Sequence, residues 1–266
     1  MITPPAAARL FAARALQRLP PRLAGRLARR PSSRLPIERV LAAARPDLDA
    51  DARRALAQAA ASEAAEARAA QRVLHADDDD EPERAARRLC ARISLDGWHH
   101  LDGPDEASGR MLVVAPTVWW PTALAALDLW HGPLDLLRPR WTYQGADGSA
   151  DALTAQRPAV APPRGDLVQS VDIEFLAERL QAGGRIAALP PPAASASGYD
   201  PSPLEPLFEA ATACGAPVVP VAARRGAKRR VRLDVSAPVD SLDSLFADLV
   251  RDEPTAWAWS AVPDSH

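Results

Sequence analysis

The chain has 266 residues, of which 47% are apolar and 25% charged, the composition of an ordinary globular protein large enough to bury a core. No apolar run approaches the roughly 18 residues that a membrane-spanning helix requires, so we expect no transmembrane span. Residues 1–46 hold ten Arg against the single acid Glu38, a net charge of +9, so the rest of the chain carries −11 to give the total of −2.

Residues 1–46 open with the pattern of a basic amphipathic helix. Arg14, Arg18, Arg22 and Arg26 recur every four residues, and leucines recur between them at spacings of three and four. The two prolines at 20–21 would break or kink this helix. We predict an arm that lies on an anionic membrane surface, with leucines at the acyl boundary and arginines among the headgroups. A basic helix packed on its own domain and a transit peptide are the alternatives.

Residues 47–92 form a predicted helical region rich in Ala, Arg and Glu. The acidic run Asp77–Glu81 interrupts it, and Pro82 follows directly. Five consecutive acids raise the question of a cation site, but the sequence after them favours a solvated loop before a helix N-terminus. We therefore predict no metal site, and nothing elsewhere in the sequence indicates a cofactor.

From Ile93 onward, strand-like and helix-like segments alternate. This alternation predicts an α/β fold with a mostly parallel sheet flanked by helices. Residues 93–266 are the predicted core, and residues 47–266 together form one domain with a helical N-terminal region. The predicted strands are Met111–Ala115, Leu134–Leu137, Arg185–Leu189, Pro217–Val221 and Val231–Val235, and the predicted helices are 119–130, 171–182, 204–213 and 241–251.

The chain is organised around residues 109–131, where an apolar strand leads directly into a helix. In open α/β sheets, chemistry is usually placed at the carboxyl end of such a strand. Between Ala115 and Leu127, however, the sequence contains only Pro, Trp, Val, Leu, Ala and two Thr. The expected place for an acid or base therefore has neither.

Five stretches carry a family resemblance. In chain order they are GWHHLDGPDEASGRMLVVAPTVWW, LDLLRPRW, GGRIAALP, CGAPVVPVAARR and LVRDEPTAWAWS. Together they resemble the lipid A biosynthesis acyltransferase family, the lauroyl and myristoyl transferases of Gram-negative inner membranes. The resemblance covers nearly the whole chain and implies a glycerolipid-acyltransferase-like sheet, with acyl carrier protein thioester as the family's acyl donor.

The sequence departs from this family at the catalytic positions. The family places His-x-x-x-x-Asp/Glu directly after the first strand, where His is the general base and the carboxylate orients it. In this chain the His position falls on Pro116, the acid on Pro121, and a second acidic position within the prolines at 190–192. Proline cannot accept a proton, so we predict no catalytic residue for the family's reaction. His100 and Asp105 have the same spacing, but they precede the strand, and we expect a surface turn there.

Substrate-binding positions remain in the sequence. Arg138 and either Arg224 or Arg225 correspond to arginines of the family, and the planar guanidinium suits a phosphate. The segment RRGAKRRVRL, residues 224–233, also predicts a hairpin, so a solvated turn is the alternative. Trp119 and Trp120 are candidates to line an acyl-chain groove, with a place in the core as the alternative. The acidic body argues against nucleic acid as a partner.

These observations predict a peripheral protein on the cytoplasmic face of a bacterial inner membrane. The favoured hypothesis is an inactive homologue that binds an acyl chain, lipid or acyl-carrier partner as an accessory subunit in (glyco)lipid biosynthesis. Its expected partners are the anionic membrane surface, acyl carrier protein or an acyl-lipid, and an active paralogue. One alternative is an acyltransferase that moves an acyl chain from acyl carrier protein to a glycolipid or lipid-linked acceptor with a non-standard base. The other is a purely structural partner.

Overall fold

The computed structural model describes residues 31–75, 91–101, 109–132, 134–137, 167–168, 173–190, 194–195, 198–199, 204–226, 230–243 and 245–257. The helices within them are α1 (Pro31–Ala44), α2 (Ala50–His75), α3 (Trp120–His131), α4 (Ile173–Gln181), α5 (Glu205–Ala213) and α6 (Ala247–Asp252), with a 3₁₀ turn at Trp98–His100. The strands are β1 (Ile93–Asp96), β2 (Arg110–Val114), β3 (Asp135–Leu137), β4 (Leu167–Val168), β5 (Arg185–Ala188), β6 (Ala194–Ser195), β7 (Gly198–Tyr199), β8 (Val218–Arg225) and β9 (Val231–Val235).

Seven of the described strands form one sheet in the order β1-β9-β8-β2-β5-β3-β4. Neighbours in this order are parallel except β8 and β9, which are antiparallel. β6 and β7 pair separately as a short antiparallel ladder. The prediction of an α/β protein with a mostly parallel sheet is confirmed, and β8 and β9 form the hairpin that the arginine-rich segment predicts.

The strand directions give the sheet two distinct edges. β2, β3, β4, β5 and β8 all end at one edge, which we call the carboxyl edge. They begin at the opposite edge, the amino edge, where β1 and β9 end because of the antiparallel pairing. Since α3 joins the end of β2 to the start of β3, it begins at the carboxyl edge and finishes at the amino edge.

β2 is the centre of the core. Met111, Leu112, Val113 and Val114 all have no exposed surface. Met111 and Val113 belong to a cluster that includes residues of α1, α2, α4 and α5, whereas Leu112 and Val114 belong to a second cluster that includes α3. This alternation follows the strand pleat, which turns successive side chains to opposite faces. The expected strand buried on both faces is therefore present.

Several element bounds differ from the predictions. β1 and β4 are additional strands, and β8 extends to Arg225 because it pairs with β9 up to that residue. The helix predicted for 241–251 was wrong in its first half, since α6 begins only at Ala247. The physical reason is Phe246, whose φ of 57° lies in the left-handed region and so cannot belong to a right-handed helix.

The helix ends follow local chemistry. Asp49 caps α2, because its Oδ1 accepts a hydrogen bond of 2.7 Å from the backbone N–H of Ala52. α4 ends where Gly183 takes a φ of 80°, and the Gly184 N–H returns to the Arg179 carbonyl at 2.7 Å. The helix predicted at 171–182 therefore ends within one residue of its expected C-terminus.

α1 lies within the segment 1–46 that is predicted as the basic arm. Its residues Ile37, Leu41 and Ala44 are buried in the same cluster as residues of α2 and β2. The apolar side of α1 thus packs on the α/β domain. Of the arm, the predicted membrane-surface residues Arg14, Arg18, Arg22 and Arg26 lie outside the described residues.

Candidate functional site

The candidate site is the junction at the carboxyl edge where β2 ends and α3 begins. The residues that the resemblance aligns with the family's base and acid, Pro116 and Pro121, lie in this junction and are buried. Pro121 stands in the first turn of α3, where its missing N–H leaves no helical hydrogen bond unmade. Both prolines therefore fit the backbone of the junction and supply it with no proton-transfer group.

Thr117 is the one hydroxyl between these two prolines. Its Oγ1 donates to the carbonyl oxygen of Ala223 at 2.7 Å and accepts from the N–H of Trp119 at 3.2 Å. Thr117 also forms a β-bridge with the fully buried Trp257, and Val118 donates its N–H to Ala256 at 2.8 Å. The hydroxyl is thus occupied within the protein, and the segment ending at Trp257 packs against the junction.

Helix α2 brings one carboxyl group to the junction. The indole Nε1 of Trp119 donates to Oε1 of Glu63 at 3.1 Å, and both side chains are largely buried. One turn further along α2, Glu66 forms a salt bridge of 3.2 Å with Arg225. Sequence reasoning missed Glu63, because an acid in the middle of an Ala-rich helix gives no sign of which distant residue it will contact.

The two tryptophans at the start of α3 have different environments. Trp119 is 5% exposed and belongs to the core, which was the alternative for this residue, whereas Trp120 is only partly buried against the second cluster. Further along α3, Trp130 is also partly buried and meets Trp98 edge to face, with ring centroids 6.3 Å apart. Partly buried tryptophans therefore stand at the two ends of α3, Trp120 at the carboxyl edge and Trp130 at the amino edge.

The arginines predicted to bind a phosphate are differently placed. Arg138 lies outside the described residues. Arg224 donates from Nε to Asp234 and from Nη1 to Glu253, the latter at 2.6 Å. Burial acts to lower the pKa of Arg224, but the hydrogen bonds and charges of Asp234 and Glu253 outweigh it and hold the pKa above its ordinary value. Arg224 thus ties β8 to β9 and to the residue after α6, and a phosphate would have to compete with two carboxylates.

Arg225 points to a more open position. About half of its side chain is exposed, and its ion pair with Glu66 joins β8 to α2. An exposed pair of this kind contributes little stability, so an incoming anion would displace it at small cost. Of the two arginines that could correspond to the family's arginine, Arg225 is therefore the more accessible to a phosphate.

The other titratable candidates lie away from the junction. His100 follows β1 and therefore stands at the amino edge, and Asp105 is outside the described residues. His131 is the last residue of α3 and is 8% exposed, with its ring 5.9 Å from that of Trp98. His100 therefore lies at the opposite edge of the sheet from the junction.

A second polar site, at the amino edge, was not predicted as a site at all. Arg110 and Arg185 are the first residues of β2 and β5, and they are direct partners in the parallel ladder. Arg110 is only 5% exposed. The available signal was the repeated Gly-Arg that precedes each apolar strand, which becomes meaningful only once the two strands are known to be neighbours.

Neither metal-binding nor membrane-spanning features occur in the described ranges. No group of three or more His, Cys, Asp or Glu side chains there could hold a metal ion. Among the described helices, none is long and apolar enough to cross a membrane. The acidic run Asp77–Glu81 lies outside them.

The fold places this chain in the α/β class, with a mostly parallel sheet between helices. Neither a scan against models of protein families nor a search of curated proteins finds a match for the chain.

Proposed function

We propose that the protein is a catalytically degenerate homologue of the lipid A acyltransferases that binds an acyl chain, a lipid or an acyl-carrier partner as an accessory subunit in bacterial (glyco)lipid biosynthesis. The observation that carries this proposal is the carboxyl-edge junction, where Pro116 and Pro121 are buried. Proline can neither accept nor donate a side-chain proton, so the two positions that the family uses for catalysis supply no acid or base here.

The hydrogen bonds of the junction support the absence of the family's chemistry. A general base must come within about 2.6 to 3.2 Å of the proton that it removes. In the described part of the junction, the Thr117 hydroxyl is bonded to Ala223, and Glu63 accepts from the Trp119 indole. Engaging the Thr117 hydroxyl elsewhere would break a buried internal hydrogen bond, which costs on the order of 1 to 3 kcal/mol, and one oxygen of Glu63 is held by the Trp119 indole.

The surface of α3 supports a binding role. Its sequence WPTALAALDLWH has a single charged residue, Asp128, so the helix is apolar on nearly every side. Trp120, Leu129 and Trp130 are only partly buried by the protein's own core. A soluble helix of this composition is normally covered, and an acyl chain along it would complete the burial of these side chains.

The partners and the location belong to the same proposal. The basic pattern of Arg14, Arg18, Arg22 and Arg26 suits the anionic surface of a bacterial inner membrane, approached from the cytoplasmic face. An active paralogue, or acyl carrier protein with its bound chain, would then supply the acyl group. On this proposal the protein holds the chain and another protein transfers it.

The test is an acyl-transfer and acyl-retention assay. Purified protein is incubated with radiolabelled acyl carrier protein thioester and a bacterial lipid extract, beside an active lipid A acyltransferase and a Pro116→His/Pro121→Glu variant. We expect no transfer by the wild type, together with saturable retention of the labelled chain or of acyl carrier protein. Turnover above background would overturn the proposal in favour of an acyltransferase with a non-standard base.

A matched pair of variants tests where the chain is held. Trp120→Ala removes partly exposed aromatic surface on α3, whereas Leu35→Ala removes a 47% exposed side chain on α1. Retention of the label should fall at least several-fold in the first variant and stay unchanged in the second. Equal retention in both variants would show that the chain is not held at Trp120, and no retention by the wild type would favour a purely structural partner.

A further inference from the structure

The amino edge of the sheet brings two arginines together on one face. Arg110 and Arg185 are paired in the β2–β5 ladder, and adjacent strands lie about 4.8 Å apart. The next residues of the same parity, Leu112 and Ala187, both belong to the cluster that contains α3. Since side chains two residues apart share a face, both guanidinium groups extend toward the face that α3 covers.

The two guanidinium groups have unequal partners. Arg185 is partly buried, and its Nη1 donates to the backbone carbonyl oxygen of His131 at the end of α3. This carbonyl lies at the negative end of the helix dipole and compensates part of the charge of Arg185. Arg110 is 5% exposed, and within the described part of the chain its buried Nη1 has no hydrogen-bond acceptor.

This arrangement leaves a buried positive charge uncompensated. A guanidinium stays protonated at any physiological pH, so burial cannot neutralise it as it can neutralise a lysine. The neighbouring Arg185 adds a like charge across the ladder, which is unfavourable. Asp128, the single acid on α3, has an interaction of its own. Buried charges in proteins are normally paired. For Arg110, a bound anion would be the partner that the described residues do not provide.

We propose that Arg110 and Arg185 bind an oxyanion, a phosphate or carboxylate group, at the amino edge beneath the end of α3. The two parallel forks can each donate two N–H groups to such an anion, which is the strongest arrangement available to arginine. The partly buried Arg185 gives the anion a route from solvent, and Trp98, beside His131, supplies an aromatic rim for the rest of the ligand. This site lies at the opposite edge from the junction and is independent of the proposed acyl-binding role.

Thermal unfolding of the full chain with inorganic phosphate tests the proposal. Arg110→Met removes the charge at similar volume, and Arg92→Met removes an exposed arginine as the matched control. We expect phosphate to raise the Tm of the wild type and of Arg92→Met saturably, by about 2 °C or more. In chloride, Arg110→Met should have a higher Tm than the wild type. In phosphate, its Tm should show only the non-saturable increase that this salt gives any protein.

Two further variants keep the test decisive if Arg110→Met folds poorly. Arg110→Lys keeps the charge without the fork, and Arg185→Met leaves Arg110 as the single donor, so each should need at least tenfold more phosphate for half of the shift. An identical phosphate response in wild type and in all three site variants would overturn the proposal. A wild type without a saturable response would overturn it as well.

The source of the anion is tested with two probes. Glycerol phosphate offers a free phosphate ester, and phosphatidate vesicles offer the same group on a lipid, with phosphatidylcholine vesicles as the blank. For the vesicles, Arg14, Arg18, Arg22 and Arg26 are changed to Gln in every protein, so that the basic arm does not contribute. Loss of binding on Arg110→Met with either probe supports the site and identifies the source. No dependence on Arg110 with either probe would overturn it.

Discussion

The two edges of the sheet differ in how their charged groups are paired. At the carboxyl edge the Glu63 carboxyl group and the Arg224 guanidinium have partners within the protein, although the buried hydroxyl of Thr122, in the first turn of α3, has none among the described residues. At the amino edge, Arg110 is only 5% exposed, yet its Nη1 has no acceptor in the described residues. The charged groups are therefore paired at the edge where the family resemblance predicts chemistry, and the opposite edge holds the unpaired charge.

Under the two proposals, the edges would bind different kinds of ligand. An apolar junction with paired charges would bind through contact area, whereas an unpaired buried charge favours a specific charged ligand. A site inherited with a fold need not stay where the fold usually places it, because function belongs to particular residues rather than to the scaffold.

The largest expected effect is the loss of the tryptophan that packs against the carboxyl edge. Trp257 has no exposed surface and forms a β-bridge with Thr117, so Trp257→Ala should lower the free energy of unfolding by about 3 to 5 kcal/mol. Urea denaturation measures this change. The phosphate response of the amino edge should survive in the folded variant, and its loss together with Trp257 would show that the two edges are not independent.

The second prediction concerns the energy of the hydrogen bond between the Trp119 indole and Glu63 at the junction. Trp119→Phe removes the indole N–H and leaves a largely buried carboxyl group without that donor, a cost of about 2 kcal/mol. In a Glu63→Leu background the same substitution should cost at least about 1 kcal/mol less, because no acceptor is then orphaned. Additive effects of the two substitutions would mean that the contact contributes no coupling energy.

Much of the fold is predictable from the sequence because the central strands are buried on both faces. The apolar run at 111–115 and the segment 231–235 gave β2 within one residue and β9 at its bounds. β1 was missed because ISLD is short, partly exposed and ends in an acid, and its strand character comes from pairing with β9. A local pattern carries no information about such a partner.

The candidate site shows the same limit. The two prolines of the junction follow from the sequence, and the structure places them in the buried turn. The Trp119–Glu63 contact joins residues 56 positions apart, and the Arg110–Arg185 pair exists only because β2 and β5 are neighbours. Contacts of this kind depend on the strand order, which no single segment specifies.

The third prediction makes the same substitution at both edges. Arg224→Met leaves Asp234 and Glu253 without their shared cation, so it should destabilise the protein by about 1 to 2 kcal/mol, less than at a fully buried pair because a quarter of the side chain is exposed. Arg110→Met should change stability in the opposite direction in phosphate-free buffer. Equal signs in parallel urea titrations would contradict the contrast between the edges.

The smallest effect sets the reference for an exposed ion pair. The side-chain hydrogen bond from Arg45 lowers the pKa of Asp47, an exposed residue. A carboxyl group with a lowered pKa stabilises the folded state above its unfolded pKa, and this contribution disappears as the pH falls through the folded pKa. Asp47→Asn should therefore be slightly less stable than the wild type at pH 7, and the difference should disappear once the pH falls below the lowered pKa of Asp47. Urea titrations at pH 7 and at acidic pH measure the difference, and an effect at pH 7 as large as that of Arg224→Met would mean that solvent exposure does not separate strong from weak pairs in this protein.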